Sequence, residues 1–321
     1  MIAFLFPGQG SQIVGMGRAL AEAFPEARAV CDEADAALAA ALDSSAGTGR
    51  DGLSIRAVMF EGPEDRLMLT EHAQPAIVTA SIAAYRVLEA RGIAPAFMAG
   101  HSLGEYSAHV AAGTLAFGDA VRIVRRRGRY MQEAVPVGQG AMAAVLGLDA
   151  ETVARACVEA AQGDVVSPAN FNGAGQVVIA GATAAVQRAG DRALALGARR
   201  VIPLPVSAPF HCALMQPAER RLAPELRALP SGDPRVPVVA NVDAEPKRDA
   251  ASAIDALVRQ VSAPVRWEQT ILRLASEGVT TYVEVGPGKV LSGLTRKIHK
   301  GATVYSFSVP DDLAALGSLA K

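Results

Sequence analysis

The feature that most constrains this chain is Gly100-His101-Ser102-Leu103-Gly104, set between a short apolar run, Ala96-Phe97-Met98-Ala99, and a helical stretch opening Glu105-Tyr106-Ser107. Strand, sharp turn and helix, with serine at the centre of G-x-S-x-G, is the pattern of a nucleophile elbow. Such a turn holds its serine in a strained conformation, and small residues on either side let strand and helix approach closely. The Ser102 hydroxyl is then expected above the end of a sheet, beside the Leu103 N–H at a helix N-terminus. There unpaired amides and the helix dipole favour negative charge. A bare G-x-S-x-G also arises by chance in a chain rich in Gly and Ala. The remaining residues must therefore supply a base, an oxyanion site and a substrate anchor.

Composition bounds the rest. With 321 residues, 50% hydrophobic and 20% charged, the chain can bury a large core, and its length suits one large domain with a smaller one inserted. A net charge of −1 without a long basic run argues against nucleic acid. Three cysteines, Cys31, Cys157 and Cys212, form no C-x-x-C pair, which points to a reducing compartment. Met1 to Phe6 carries no basic leader and meets Pro7-Gly8 too soon for a signal peptide. No apolar run approaches the ~18 residues of a membrane span. A soluble, cytoplasmic protein is the expectation, with no cofactor and no metal called for.

In chain order, Ile2–Phe6 reads as a buried strand, followed by Gly8-Gln9-Gly10 and a helix from Met16. A dinucleotide fingerprint would need its third glycine where Ile13 stands, so the turn is better read as amides that, with the Gln9 side chain, face a neighbouring site. Helices follow over 26–42, 64–69 and 74–91, and the Ser-, Gly- and Thr-rich stretch 43–53 reads as a surface loop. From Gly140 the elements shorten: strand 142–146, helix 150–161, strands 165–170 and 176–180, helix 184–196, strand 199–204. This β-α-β-β-α-β order is the ferredoxin-like unit. We expect it as a small domain over 137–206, inserted into an α/β core of 1–136 and 207–321. Asn170-Phe171-Asn172-Gly173, at a strand end, is either a plain turn or a polar lip over the site. Of five histidines, His101 abuts Ser102, while His211 stands in a Pro-interrupted loop before a helix, a place suited to a base. A strand at 236–241, helices at 254–261 and 267–276, a strand at 281–285 and a last helix complete the chain.

The helix 117–134 carries the second signal. At roughly 100° per residue, Ala120, Val124 and Met131 share one arc, and Arg122, Arg125, Arg126 and Arg129 fall opposite as a solvated face. Arg127 falls within the apolar arc. A buried guanidinium is costly without a partner, so either an internal carboxylate meets it or the chain keeps it for an anionic ligand. Spacing alone leans to the internal pair.

Gly8-Gln-Gly-Ser-Gln12, Gly100-His-Ser-Leu-Gly-Glu105, Arg127, Asn170-Phe-Asn172, Pro209-Phe-His211, Val238-Val-Ala-Asn-Val242, Arg259-Gln260 and Val285-Gly-Pro-Gly-Lys-Val290 together resemble the malonyl-CoA:acyl carrier protein transacylases, within the acyltransferase family that also serves polyketide synthases. The similarity spans essentially the whole chain. It implies an α/β-hydrolase-like core with a parallel sheet and an inserted ferredoxin-like subdomain. It implies Ser102 as the acylated nucleophile, His211 as its base, and Gln9 with the Leu103 N–H as the oxyanion hole. It also implies Arg127 as the clamp on the malonyl carboxylate, since a planar fork matches a carboxylate bidentately. In this family a backbone carbonyl orients the histidine. Gln260 matches that position and, with Asn170 and His101, is expected about the substrate. Phe210 before the histidine accompanies malonyl in polyketide members, where its bulk crowds an α-methyl branch. Such a difference is worth ~1–3 kcal/mol. Arg199 and Arg200 are candidates for coenzyme A phosphates or the carrier, or simply a solvated pair. The implied partners are malonyl-CoA and acyl carrier protein, with fatty acid synthesis as the pathway and a monomer as the state. An esterase or thioesterase is the rival enzyme, but an inward cation gives a lipase no use; intact Ser102 and His211 argue against a scaffold without chemistry.

Overall fold

The computed structural model describes residues 1–43, 54–206 and 208–319. The stretch expected as a surface loop falls on 44–53, outside the described residues, while Asp43 ends the Pro25–Asp43 helix.

Two sheets organise the molecule. The larger contains β1 (Ile2–Phe6), β2 (Phe97–Gly100), β7 (Val238–Val239), β8 (Pro246–Lys247), β9 (Thr281–Val285) and β10 (Thr303–Phe307), in the order β10-β9-β1-β2-β7-β8. All its pairings are parallel except that of the two-residue edge strand β8. Parallel strands are covered on both faces, and β1 shows how. Phe4 and Phe6 enter one core with Ile77 and Val124; Ala3 and Leu5, pointing the other way, enter another with Trp267 and Ile271.

The smaller sheet contains β3 (Gly140–Leu146), β4 (Val166–Gly173), β5 (Gln176–Ala182) and β6 (Arg200–Pro203), in the order β4-β5-β3-β6, antiparallel throughout. Its period of two again separates two environments. Ala143 and Val145 pack against Val153, Cys157 and Ala189 of the helices Ala150–Ala161 and Thr183–Ala195, while Met142 and Ala144 join the large core. The small sheet thus turns one face to its own helices and the other toward the elbow.

Several elements depart from the sequence reading. The helix expected from Gln74 begins at Thr70 and runs to Glu89, absorbing Pro75 near its first turns at the cost of one ladder bond. The strand expected over 236–241 contracts to two residues, because the chain turns at Asn241, whose amide is engaged elsewhere. Expected as one helix, 213–228 divides into a 3-10 turn, Ala213–Met215, and the helix Gln216–Arg227. The helix Ile55–Glu61 and strands β8 and β10 were not anticipated.

Candidate active site

The elbow follows β2. Ser102 has φ 52°, in the left-handed region that a non-glycine residue occupies only under constraint. A Cβ on Gly100 would stand 2.0 Å from the Gly104 carbonyl oxygen, and one on Gly104 2.0 Å from the Phe6 oxygen. Both glycines are therefore obligatory for close approach. Asn241 locks the turn: its Oδ1 accepts from the Ser102 N–H at 2.7 Å, and its Nδ2 donates to the Gly100 oxygen at 2.7 Å. Leu103, buried, opens the helix Gly104–Ala112, so its N–H is among the donors that no helical carbonyl meets.

His211, also left-handed at φ 60°, brings Nε2 to 2.6 Å from Ser102 Oγ. Its Nδ1 faces two carbonyl oxygens, Gln260 at 2.9 Å and Ala263 at 3.2 Å. Both can only accept, so the proton sits on Nδ1 and Nε2 is left to accept from the serine. Burial, and secondly the Arg127 charge, push the His211 pKa down to about 3, leaving the imidazole neutral at physiological pH. Among the described residues no carboxylate orients this ring.

Arg127 comes from the helix Phe117–Glu133, which approaches the start of the Thr70–Glu89 helix closely enough that a Cβ on Gly128 would lie 2.6 Å from the Thr70 oxygen. Only 1% of Arg127 is exposed. Nη1 donates to Gln74 Oε1 at 3.0 Å; Nη2 donates to Gln260 Oε1 at 3.0 Å and to Ser102 Oγ at 3.3 Å. The guanidinium also lies over the Tyr106 ring, 5.4 Å from its centroid, and Nε has no partner. The internal ion pair toward which spacing leaned is absent: among the described residues every hydrogen-bond partner of Arg127 is a neutral amide or hydroxyl. The nearby carboxylate, Glu105, spends one oxygen on Gln260 Nε2 and the Asn241 N–H instead.

These groups line one cavity of about 760 Å³ between the carboxyl ends of β1 and β2 and the inner face of the small sheet. Ser102, His211, Arg127, Gln9, His101, Asn170 and Phe210 all contribute to its wall. Gln9 turns its side-chain Nε2 to Thr70 Oγ1 at 3.2 Å, so the side-chain amide is engaged at the cavity wall. His101 Nε2 lies 3.0 Å from Asn172 Oδ1, and burial lowers its pKa. Asn170 Oδ1 is buried and unpartnered. Gln260 does not line the cavity: fully buried, it gives Nε2 to the Ser102 oxygen at 2.8 Å and to Glu105 at 2.7 Å. Arg199 and Arg200 are exposed at the small sheet and take no part in the wall. Sequence reasoning passed over Gln74, Asn241 and the role of Glu105. Each is a polar residue in an apolar stretch, a signal that was available at Gln74 amid its Ala-rich helix.

Comparison with known proteins is concordant over the full length. Residues 3–307 match the acyl transferase domain family. The malonyl CoA-acyl carrier protein transacylase of Escherichia coli strain K12 is 51% identical over 98% of this chain and 97% of that protein; that of Bacillus subtilis strain 168 is 47% identical over 97% and 95%. Among solved structures, an acyl carrier protein S-malonyltransferase from Vibrio cholerae superposes with a TM-score of 0.92 at 45% identity, covering 98% of this chain and 99% of that one. A type II polyketide synthase acyl carrier protein in complex with its malonyl-transacylase gives 0.93 at 46% identity, covering 99% of each. An elbow serine, its imidazole and a buried guanidinium thus sit on a scaffold shared along its whole length, and the chain belongs to the acyl transferase domain family.

Proposed function

We propose that this protein transfers the malonyl group from malonyl-CoA to the phosphopantetheine thiol of acyl carrier protein, through a malonyl-serine, in the service of fatty acid synthesis. The observation that carries the reading is Arg127, a buried cation hydrogen-bonded to no carboxylate among the described residues, 3.3 Å from the serine oxygen. A neutral acyl group would leave that charge uncompensated; a malonyl carboxylate would meet it.

In the first half-reaction Ser102 Oγ attacks the thioester carbonyl as its proton passes to His211 Nε2. Negative charge on the carbonyl oxygen is met by the backbone N–H groups of Gln9 and Leu103. Collapse breaks the C–S bond, and the coenzyme A thiolate leaves with the proton held on His211. In the second half the carrier's thiol gives its proton to Nε2 and attacks the ester; Ser102 Oγ departs and takes the proton back. Carbonyls alone orient His211, so a Ser-His dyad suffices. Phe210 bounds the acyl pocket and disfavours an α-methyl branch by ~1–3 kcal/mol. Asn170 and His101 shape the wall toward the pantetheine. We assign 137–206 as an inserted ferredoxin-like subdomain and 1–136 with 207–321 as an α/β-hydrolase-like core; the strand order β4-β5-β3-β6 supports this division. The enzyme acts as a cytoplasmic monomer, with neither membrane nor nucleic acid as partner; no helix among the described residues is long and apolar enough to cross a membrane.

Intact-mass analysis tests the reading. Mixing with malonyl-CoA should yield a single malonyl adduct, lost in Ser102→Ala, which passes to added holo-carrier protein. An adduct that persists in Ser102→Ala, or that reaches only water, contradicts it.

A further inference from the structure

Glu105 is wholly buried behind the elbow and does not line the cavity. Its Oε2 accepts from Gln260 Nε2 at 2.7 Å and from the Asn241 N–H at 3.0 Å, while Oε1 has no partner. Gln260 in turn presents Oε1 to Arg127 at 3.0 Å. A carboxamide has two ends of opposite character, and which end faces Arg127 depends on what the other end meets. Burial pushes the Glu105 pKa up to about 7, yet Oε2 already meets two N–H donors and can only accept from them, so Gln260 offers it the NH2 group, as it does to the Ser102 carbonyl oxygen at 2.8 Å. Reversing the amide would set carbonyl against carboxylate and NH2 against guanidinium N–H. We propose that Glu105 is a positioning residue, which together with the Ser102 carbonyl oxygen fixes the amide of Gln260 and thereby holds the Arg127 fork ready for the acyl carboxylate. It touches no substrate atom. Its neutral isostere glutamine is a weaker acceptor than a carboxylate, so the hold on the Gln260 amide falls mainly to the Ser102 carbonyl oxygen, 2.8 Å from Nε2, although size and shape are kept.

This inference rests on the malonyl reading above, and the two fail separately. Loading of wild-type protein by malonyl-CoA tests that reading alone; the ratio of malonyl to acetyl loading in variants tests Glu105. Single-turnover acylation of Ser102 is followed by intact mass with either donor, for wild type, E105Q and E105D, each also in an Arg127→Ala background. In E105Q the malonyl-CoA concentration for half-maximal loading should rise about ten-fold, with acetyl loading changed about two-fold or less. E105D, which keeps a carboxyl group, should keep more of the malonyl preference. Without Arg127, E105Q should no longer alter the ratio, because the two positions act as one unit. Equal losses for both donors, an unchanged ratio, or an effect that survives removal of Arg127 overturns the proposal. Should E105Q not fold, Gln260→Met severs the relay at its other end: a fallen malonyl preference supports the proposal and an unchanged one overturns it.

Discussion

The helix Phe117–Glu133 carries arginines on two faces, and they are treated in opposite ways. On the outer face Arg122 pairs with Asp119 at 2.5 Å, Arg126 with Glu225 at 2.7 Å and Arg129 with Glu133 at 2.8 Å. On the inner face Arg127, withdrawn from water, contacts amides, a hydroxyl and an aromatic ring, and among the described residues it is hydrogen-bonded to no carboxylate. Desolvation alone would favour the reverse, since an exposed cation needs no counter-ion and a buried one needs it most. Neutral dipoles offset part of the cost on the inner face without cancelling the charge. The charge is left available, and the cavity beside Ser102 is where it can be used.

Four experiments break or sharpen this contrast. Removing the inner cation with Arg127→Ala should slow malonyl loading on the order of a hundred-fold while sparing acetyl loading, in single-turnover assays. Malonyl selectivity unchanged by that substitution would dissolve the distinction between the faces. Arg127→Lys keeps the charge but not the fork, and should cost about ten-fold in the same assay. The third reads His211, whose pKa is pushed down to about 3, first by burial and then by the Arg127 charge. Its imidazole resonances should stay those of the neutral ring through the ordinary histidine range. Taking away the neighbouring positive charge with Arg127→Met should move the titration upward, though short of the ordinary value because burial remains. A downward move would contradict the electrostatics. On the outer face, Arg126→Ala or Arg129→Ala should change folding stability by no more than about 0.5 kcal/mol in urea titrations. A large loss there would mean that the exposed pairs, too, are structural.

Much of this was legible before any coordinates. The elbow was visible because close approach of strand and helix admits only glycine at 100 and 104, a constraint written in residue identity. The inward position of Arg127 followed from helical period alone. What helical period could not supply was the partner, since Gln74 and Gln260 lie 53 and 133 residues away in sequence and contact Arg127 only through the tertiary fold. Asn241 was hidden for the same reason: quoted within an apolar strand-like run, it turned out to end β7 and lock the serine turn. Gln260 was expected to orient the histidine through its backbone carbonyl and to stand about the substrate; its carbonyl oxygen does lie 2.9 Å from His211 Nδ1, while its side chain sits behind Arg127 with both ends of the amide engaged. Short strands such as β8 escaped because two residues carry no period.

The central claim is that the Arg127 guanidinium is the counter-charge for the acyl group on Ser102. A crystal structure of the malonyl-loaded protein measures this directly. The account predicts the malonyl carboxylate against Arg127, with N–H···O contacts of about 2.7–2.9 Å. A carboxylate turned out to solvent, with Arg127 still held only by Gln74 and Gln260, would contradict it.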